Sequence, residues 1–180
     1  RPISPGAEHY SFMGWYQVFD DGSEASMPYN FNDPVKGNME LRAKWREMQI
    51  EKNPSLKGKE FSNPVVTNAL THGLRISAEL FAESGVQVVV PDLYWDNYSL
   101  VFEESAGAEL SLFNTFKDGH FDTAAMKKAL LAGEGKKILI LNFPNNPTGY
   151  TATNDDAVEI VKAVAEVAAT GRKIVVVLDD

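Results

Sequence analysis

Three largely apolar runs, Val86 to Val90, Ile138 to Leu141 and Ile174 to Leu178, punctuate the chain from residue 86 onward. Short runs without clean polar alternation predict strands buried on both faces, as in a parallel sheet. Helical patterns separate them. Leu74, Ile76, Ala78, Leu80 and Phe81 mark a mostly buried helix from Leu70 to about Glu83, stopped by Ser84-Gly85. Asp122 opens a second helix that runs to Leu131. Thr153-Asn154-Asp155-Asp156 caps a third through Ala169, its acidic residues suiting the positive end of the helix dipole and Gly171 closing it at the C′ position. Lys136 begins the strand that reaches Leu141, and Ala108 to Phe113 alternates loosely as a further strand.

Upstream the pattern is looser. Residues 1 to 37 are rich in Gly, Pro, Asn and Asp with scattered aromatics, and read as an irregular arm with short extended pieces. From Asn38 to about Lys52, the positions of Met39, Leu41, Trp45, Met48 and Gln49 predict an amphipathic helix, ended by Asn53-Pro54. Asn63 to Thr67 reads as a short strand. Strand and helix then alternate, so the expected fold is α/β, a mostly parallel sheet flanked by helices behind an N-terminal arm. The arm is assigned to 1–37 and a large domain to 38–180. The final strand has no helix after it to cover its face, so the domain is expected to continue beyond Asp180 and to be incomplete here.

Composition narrows the partners. The 180 residues are 44% apolar and 11% aromatic, enough for a substantial core. Seventeen basic against 25 acidic residues leave a net charge of −8, which disfavours nucleic acid and anionic membranes as partners. No apolar run approaches the roughly 20 residues of a bilayer span, and the start of the chain lacks the apolar core of a signal peptide. The absence of cysteine excludes disulfides and thiolate chemistry and is compatible with a cytoplasmic setting. His9 and His120 show no metal-ligand spacing, and no metal is expected.

Candidate chemistry concentrates at strand ends. Asn142-Phe143-Pro144-Asn145-Asn146-Pro147-Thr148-Gly149-Tyr150-Thr151 follows the Ile138 run, where open α/β sheets hold ligands. The Asn146-Pro147 bond is a candidate for the cis form. Asp179 and Asp180 end the last strand, and because adjacent strand residues point to opposite faces, only one of them can aim at a ligand.

Asn146-Pro147-Thr148-Gly149 after a strand, with an Asp ending a strand some thirty residues on, resembles the aspartate/aromatic-type class I/II aminotransferases, fold-type I enzymes that use pyridoxal phosphate. Phe12-Met13-Gly14-Trp15-Tyr16 with Asp20-Asp21-Gly22 and Met27-Pro28 is similar to that family's N-terminal arm. Leu74-Arg75-Ile76-Ser77-Ala78-Glu79-Leu80 resembles the helix behind its phosphate loop, and Pro91 through Trp95-Asp96-Asn97-Tyr98 its ring-stacking segment. The four occur in the family's order.

The resemblance implies a role for each position. Asp179 would face the cofactor's ring nitrogen and favour the charged pyridinium; Asn146 would donate to its phenolic oxygen and touch the substrate carboxylate. Trp95, with Tyr94 as the alternate, would stack on the ring. Ala69, Leu70 and Thr71 would cradle the phosphate at a helix N-terminus, although glycine is missing from that loop and the backbone there has less freedom. Gly14 and Trp15 would line the substrate side. The implied reaction moves an amino group between an amino acid and a 2-oxo acid through an aldimine, in a homodimer, with the Schiff-base lysine expected beyond Asp180. No catalytic lysine is assigned within the chain, which alone would be inactive. The alternatives are a lyase or decarboxylase of the same fold, a non-catalytic aminotransferase-like sensing domain, and an unrelated α/β ligand-binding domain.

Overall fold

The structure is a computed structural model that describes residues 15–18, 23–28, 30, 40–43, 45–62, 65 and 67–180. Contacts divide the chain into two compact units, Arg1–Val66 and Thr67–Asp180. In the first, β1 (Trp15–Val18) pairs antiparallel with β2 (Glu40–Ala43), Trp15 facing Ala43, and Tyr16 is buried. Helix α1 (Trp45–Lys52) follows, and a single 3₁₀ turn at Pro54–Leu56 ends the run. The helix expected from Asn38 is therefore shorter: pairing with a strand more than twenty residues upstream holds Glu40–Ala43 extended, and non-local pairing outweighs local periodicity. Of the strand expected over 63–67, Val65 and Thr67 belong to no strand, and the other three residues lie outside those described.

The second unit is built on a sheet of four parallel strands. These are β3 (Gln87–Pro91), β4 (Glu109–Phe113), β7 (Lys137–Asn142) and β8 (Ile174–Asp179), in the spatial order β4-β3-β7-β8. Val88 to Val90 and Ile138 to Ile140 are fully buried because helices cover both faces, so these runs show no polar alternation. On one face α2 (Ala69–Phe81) and a π-helical turn (Ser99–Glu104) pack Leu74, Ala78, Tyr98 and Phe102 against Val88, Val90, Ile138 and Ile140. On the other, α3 (Thr123–Leu131) and α4 (Asn154–Ala169) bring Met126, Leu130, Ile160 and Val167 onto Val89, Leu139 and Leu141. A two-residue hairpin, β5 (Phe116–Lys117) with β6 (His120–Phe121), precedes α3. Among the described residues no helix is long and apolar enough to cross a membrane.

Both helices over that second face are capped as their sequences suggest. Asp122 accepts from the Ala125 N–H at 2.8 Å, and Thr153 with Asp156 forms a reciprocal capping box at the start of α4. The Asp156 Oδ2 also accepts from the Thr153 hydroxyl (2.6 Å), the Thr153 N–H (2.9 Å) and the Tyr150 hydroxyl (2.6 Å). Donation from Thr153, then from Tyr150, holds the Asp156 carboxyl below the usual carboxylate range. A depressed folded-state pKa gives stability that is present above the unfolded value of about 3.9 and lost as pH falls through the folded one. Asp156→Ala is thus expected to cost about 1–2 kcal/mol at neutral pH. Urea titrations across the acid range check this: the gap between the two proteins should narrow below about pH 4, and a constant gap would refute the assignment.

Candidate functional site

The order β4-β3-β7-β8 fixes where a ligand can sit. From β3 the chain moves outward to β4, returns past β3 to β7 and moves outward the other way to β8, so the loops after β3 and β7 diverge. The crevice beyond their carboxyl ends is the switch point at which open α/β sheets bind ligands. Leu93–Tyr98 leaves the end of β3, Phe143–Tyr150 leaves β7, and Asp179 ends β8 opposite Asn142.

Asp179 is 3% exposed, whereas its neighbour Asp180 is exposed to solvent. Alternation along β8 puts Asp179 on the face of Val175 and Val177, the face of α2 and Tyr98. Its Oδ2 accepts a short hydrogen bond from the Tyr98 hydroxyl, across 81 positions of sequence. Its Oδ1 is buried and has no hydrogen-bond partner among the described residues. A carboxylate oxygen closed off from water and left unpaired is costly, and a cationic N–H donor would satisfy it. Burial first, and then the bond to Asp179 and its charge, push the Tyr98 phenol well above its ordinary value, so the phenol stays protonated and donates.

Trp95 is half-buried and meets Tyr98 edge to face, with ring centroids 5.8 Å apart and planes at 83°. Trp95 therefore reaches Asp179 through Tyr98. The Tyr98 N–H donates to the Trp95 carbonyl (2.9 Å), which closes the turn that sets this spacing. Tyr94 packs against the same core.

The turn after β7 is a hydrogen-bonded frame. Asn142 Nδ2 donates to the Asp179 carbonyl (2.9 Å) and its Oδ1 accepts from the Asn146 N–H (2.6 Å), joining the turn to the end of β8. Buried Asn145 sends Nδ2 across the crevice to the Leu93 carbonyl (3.1 Å), while its Oδ1 accepts from the Thr148 hydroxyl (2.6 Å) and N–H (3.2 Å). The Leu93 N–H in turn donates to the Thr115 hydroxyl (3.1 Å), which itself donates to Asp92 at 2.6 Å. Burial raises the Asp92 pKa, but donation from Thr115 and from backbone N–H groups outweighs it and the carboxyl lies below its ordinary value. Asn146 is exposed, and its side chain makes no hydrogen bond among the described residues. The Asn146–Pro147 peptide is cis, as is Phe143–Pro144.

Ala69, Leu70 and Thr71 are exposed at the start of α2, whose Leu74 lies in the same core cluster as Tyr98. Ala69 has φ +68°, so the left-handed turn expected of a glycine is made by alanine, one residue before Leu70. His72 accepts the Asn68 N–H on Nδ1 (3.0 Å), and Thr67 donates to the Ala69 carbonyl (3.0 Å). The histidine is thus engaged with its own helix start. Gly14 lies outside the described residues, as do Phe12, Met13 and Asp20-Asp21-Gly22; Trp15 lies in β1, in the other unit.

Lys137 is the one fully buried lysine among the described residues, and it sits at the opposite end of the sheet. Its Nζ donates a short hydrogen bond to Gln87 Oε1, and burial, followed by the charge of Arg172, lowers its pKa. Five residue steps along the strand lead from Lys137 to Asn142, the partner of Asp179, which is about 17 Å at the usual rise. It cannot serve the crevice. Among the described residues no three acidic or histidine side chains are grouped to hold a metal ion.

Tyr98, Asn142 and Asn145 are the residues that sequence reasoning missed. The Asn-rich turn marked the place, but which asparagine is buried depends on a partner 52 residues away.

The comparisons with known proteins bear on the fold and the family. An aspartate aminotransferase of Musicola paradisiaca (strain Ech703) is 27% identical over 103 residues, 57% of this chain and 25% of that protein. A solved aminotransferase of Anaerococcus prevotii superposes with a TM-score of 0.56 at 26% identity, covering 61% of this chain and 28% of that one. A protein of Escherichia coli identified with a methionine aminotransferase function shares the fold, with a TM-score of 0.59, 24% identity and coverage of 75% and 34%. The chain spans about a quarter of the curated relative's length. The model of the family described as aminotransferase class I and II matches residues 15–180, and the chain belongs to that family.

Proposed function

We propose that the protein containing this chain is a pyridoxal-phosphate aminotransferase acting on an amino acid and a 2-oxo acid, and that this chain supplies much of the cofactor's cradle. One observation carries the reading: a buried carboxylate at the carboxyl end of β8, with one oxygen paired to Tyr98 and the other unpaired. That oxygen fits a protonated ring nitrogen, because a charged donor is the partner that offsets the desolvation of a buried carboxylate. When bound, the cofactor supplies an electron sink for bonds at the substrate's α-carbon.

The chain's residues would do the rest. Asp179 would hold the proton on the ring nitrogen through Oδ1. Trp95 would offer its indole face to the ring, with its edge contact to Tyr98 fixing its tilt. The amide of Asn146, unengaged within the described chain, would donate to an oxygen on the ring. The exposed N–H groups at Ala69–Thr71 would take the phosphate, where the start of the 13-residue helix α2 favours negative charge. Gly14 and Trp15 are proposed for the substrate side on family likeness alone.

The test uses the full-length protein with added cofactor, a panel of amino acids, and reactions run with and without a 2-oxo acid acceptor. Without an acceptor, new oxo acid is expected in no more than one equivalent of the cofactor present, because the amino group stays on the cofactor; sustained formation is expected only when an acceptor is added. Carbon dioxide or an elimination product without acceptor would instead identify a decarboxylase or lyase of the same fold. Failure to bind the cofactor would remove the reading altogether.

A further inference from the structure

The loop assigned to the phosphate has no glycine at its turn; Ala69 makes the turn instead, at φ +68°, a left-handed conformation that crowds any residue with a Cβ. Such a residue persists only where its surroundings hold it. Two side chains do so. Thr67 donates its hydroxyl to the Ala69 carbonyl (3.0 Å), and His72 Nδ1 accepts the Asn68 N–H (3.0 Å). Thr67 lies against Gly73, where an added Cβ would stand 3.4 Å from its hydroxyl, so the one glycine of α2 gives Thr67 its seat.

Asn68 is the N-cap of α2, and its own side chain makes no cap hydrogen bond. In a capping box a glutamate or glutamine of the first turn reaches back to the N-cap N–H. Here an imidazole does so, from one residue further along the helix. Because its partner is a main-chain donor, Nδ1 carries a lone pair, and the bond brings no negative charge to the helix start. A carboxylate in the same place would hold the loop and also repel a phosphate arriving at the positive end of the helix dipole.

Resting on the cofactor reading, we propose that His72 is a positioning residue of the phosphate cradle: it fastens Asn68, so that Ala69 keeps its left-handed turn and the N–H groups of Ala69, Leu70 and Thr71 stay set for the anion. His72 would act through the loop, without touching ring or substrate. With the imidazole gone, one of the two braces is lost and Ala69 relaxes toward negative φ, which turns the first N–H groups of α2 away from a common target. Glycine at position 69 would make the brace dispensable, since glycine takes positive φ about as readily as negative.

The experiment is calorimetric titration of the cofactor-free full-length protein with pyridoxamine phosphate and with pyridoxamine, which differ only in the phosphate. The proteins are the native one, His72→Ala, His72→Asn, Ala69→Gly and the double variant carrying Ala69→Gly with His72→Ala. His72 is exposed, so its truncation leaves the core as it is. His72→Ala should weaken pyridoxamine phosphate about 5- to 10-fold, the scale of one hydrogen bond, and pyridoxamine by less than about 2-fold. His72→Asn keeps an acceptor close to the place of Nδ1 and should bind both ligands within about 2-fold of native. In the Ala69→Gly background, removing His72 should weaken pyridoxamine phosphate by less than about 2-fold. A merely structural histidine would not separate the two ligands or become dispensable beside glycine. Equal losses for both ligands, the same loss in both backgrounds, or no loss would overturn the positioning role while the cofactor reading stands. If the native protein binds neither ligand, both fall.

Discussion

Asp179→Asn in the full-length protein is expected to slow amino-group transfer by about 100- to 1,000-fold, the scale of removing one preorganised electrostatic partner from a reacting centre. The same substitution is expected to make the cofactor-free protein slightly more stable, by about 1 kcal/mol, and the opposite signs are the point of the test. In the chain as it stands, Asp179 is a charged group 3% exposed with one oxygen unpaired. Such a group opposes folding, because desolvating a carboxylate costs more than one hydrogen bond returns. Asparagine has the same shape and its Oδ1 still accepts from Tyr98, so the swap removes the buried charge without opening a cavity. What it cannot do is hold a proton on a ring nitrogen by charge. Urea unfolding of the cofactor-free protein and single-turnover rates of the loaded protein measure the two effects. A variant with full activity would remove Asp179 from the site, and a variant that fails to fold would show the carboxylate to be structural.

What the sequence revealed of this arrangement, and what it concealed, follows from the range of the interactions. The runs Val86–Val90 and Ile138–Leu141 were legible because burial on both faces leaves a local mark; Ile174–Leu178 was legible as an apolar run, but Val176 and Leu178 are exposed, so β8 is covered on one face and not on both as expected. All three strands lie within a residue or two of those bounds. Asp122, Thr153 and Asp156 were legible for the same reason, since a cap is made within four residues. Asp179 could be preferred to Asp180 only by family likeness, and its burial depends on the helices that cover that face. The π-helical turn at Ser99–Glu104 has no distinguishing period in so short a stretch, and no element was expected there. The hairpin around Asp118-Gly119 did carry a local cue: both residues have positive φ, as the tight two-residue turn demands. Its strands are only two residues each, too short to show alternation.

The asparagines give the sharpest contrast, and lead to the second large effect. Asn145→Ala is expected to cost about 2–4 kcal/mol, since the side chain is 5% exposed and makes three hydrogen bonds that net roughly 1 kcal/mol each. The backbone bonds of the turn, Asn145 N–H to the Tyr150 carbonyl (2.7 Å) and Gly149 N–H to the Asn145 carbonyl (2.6 Å), survive the change, so the loss belongs to the side chain. Asn145→Asp separates its two ends. The aspartate keeps an acceptor for Thr148 but replaces the amide donor with an oxygen facing the Leu93 carbonyl. That repulsion raises the carboxyl's folded-state pKa above its unfolded value of about 3.9, so the penalty is present at neutral pH and relieved as pH falls, when the protonated acid can donate to Leu93 again. The acid response of Asn145→Asp is therefore opposite in sign to the one expected for native Asp156. Chemical unfolding at pH 7 and at about pH 4 checks both halves of the argument. Equal stability of Asn145→Asp and the native protein at pH 7 would mean that the bond across the crevice contributes nothing. If instead it contributes as expected, loosening Leu93 also frees the segment that carries Trp95, and cofactor affinity should fall together with stability in a way that Asp156→Ala, outside the crevice, does not reproduce.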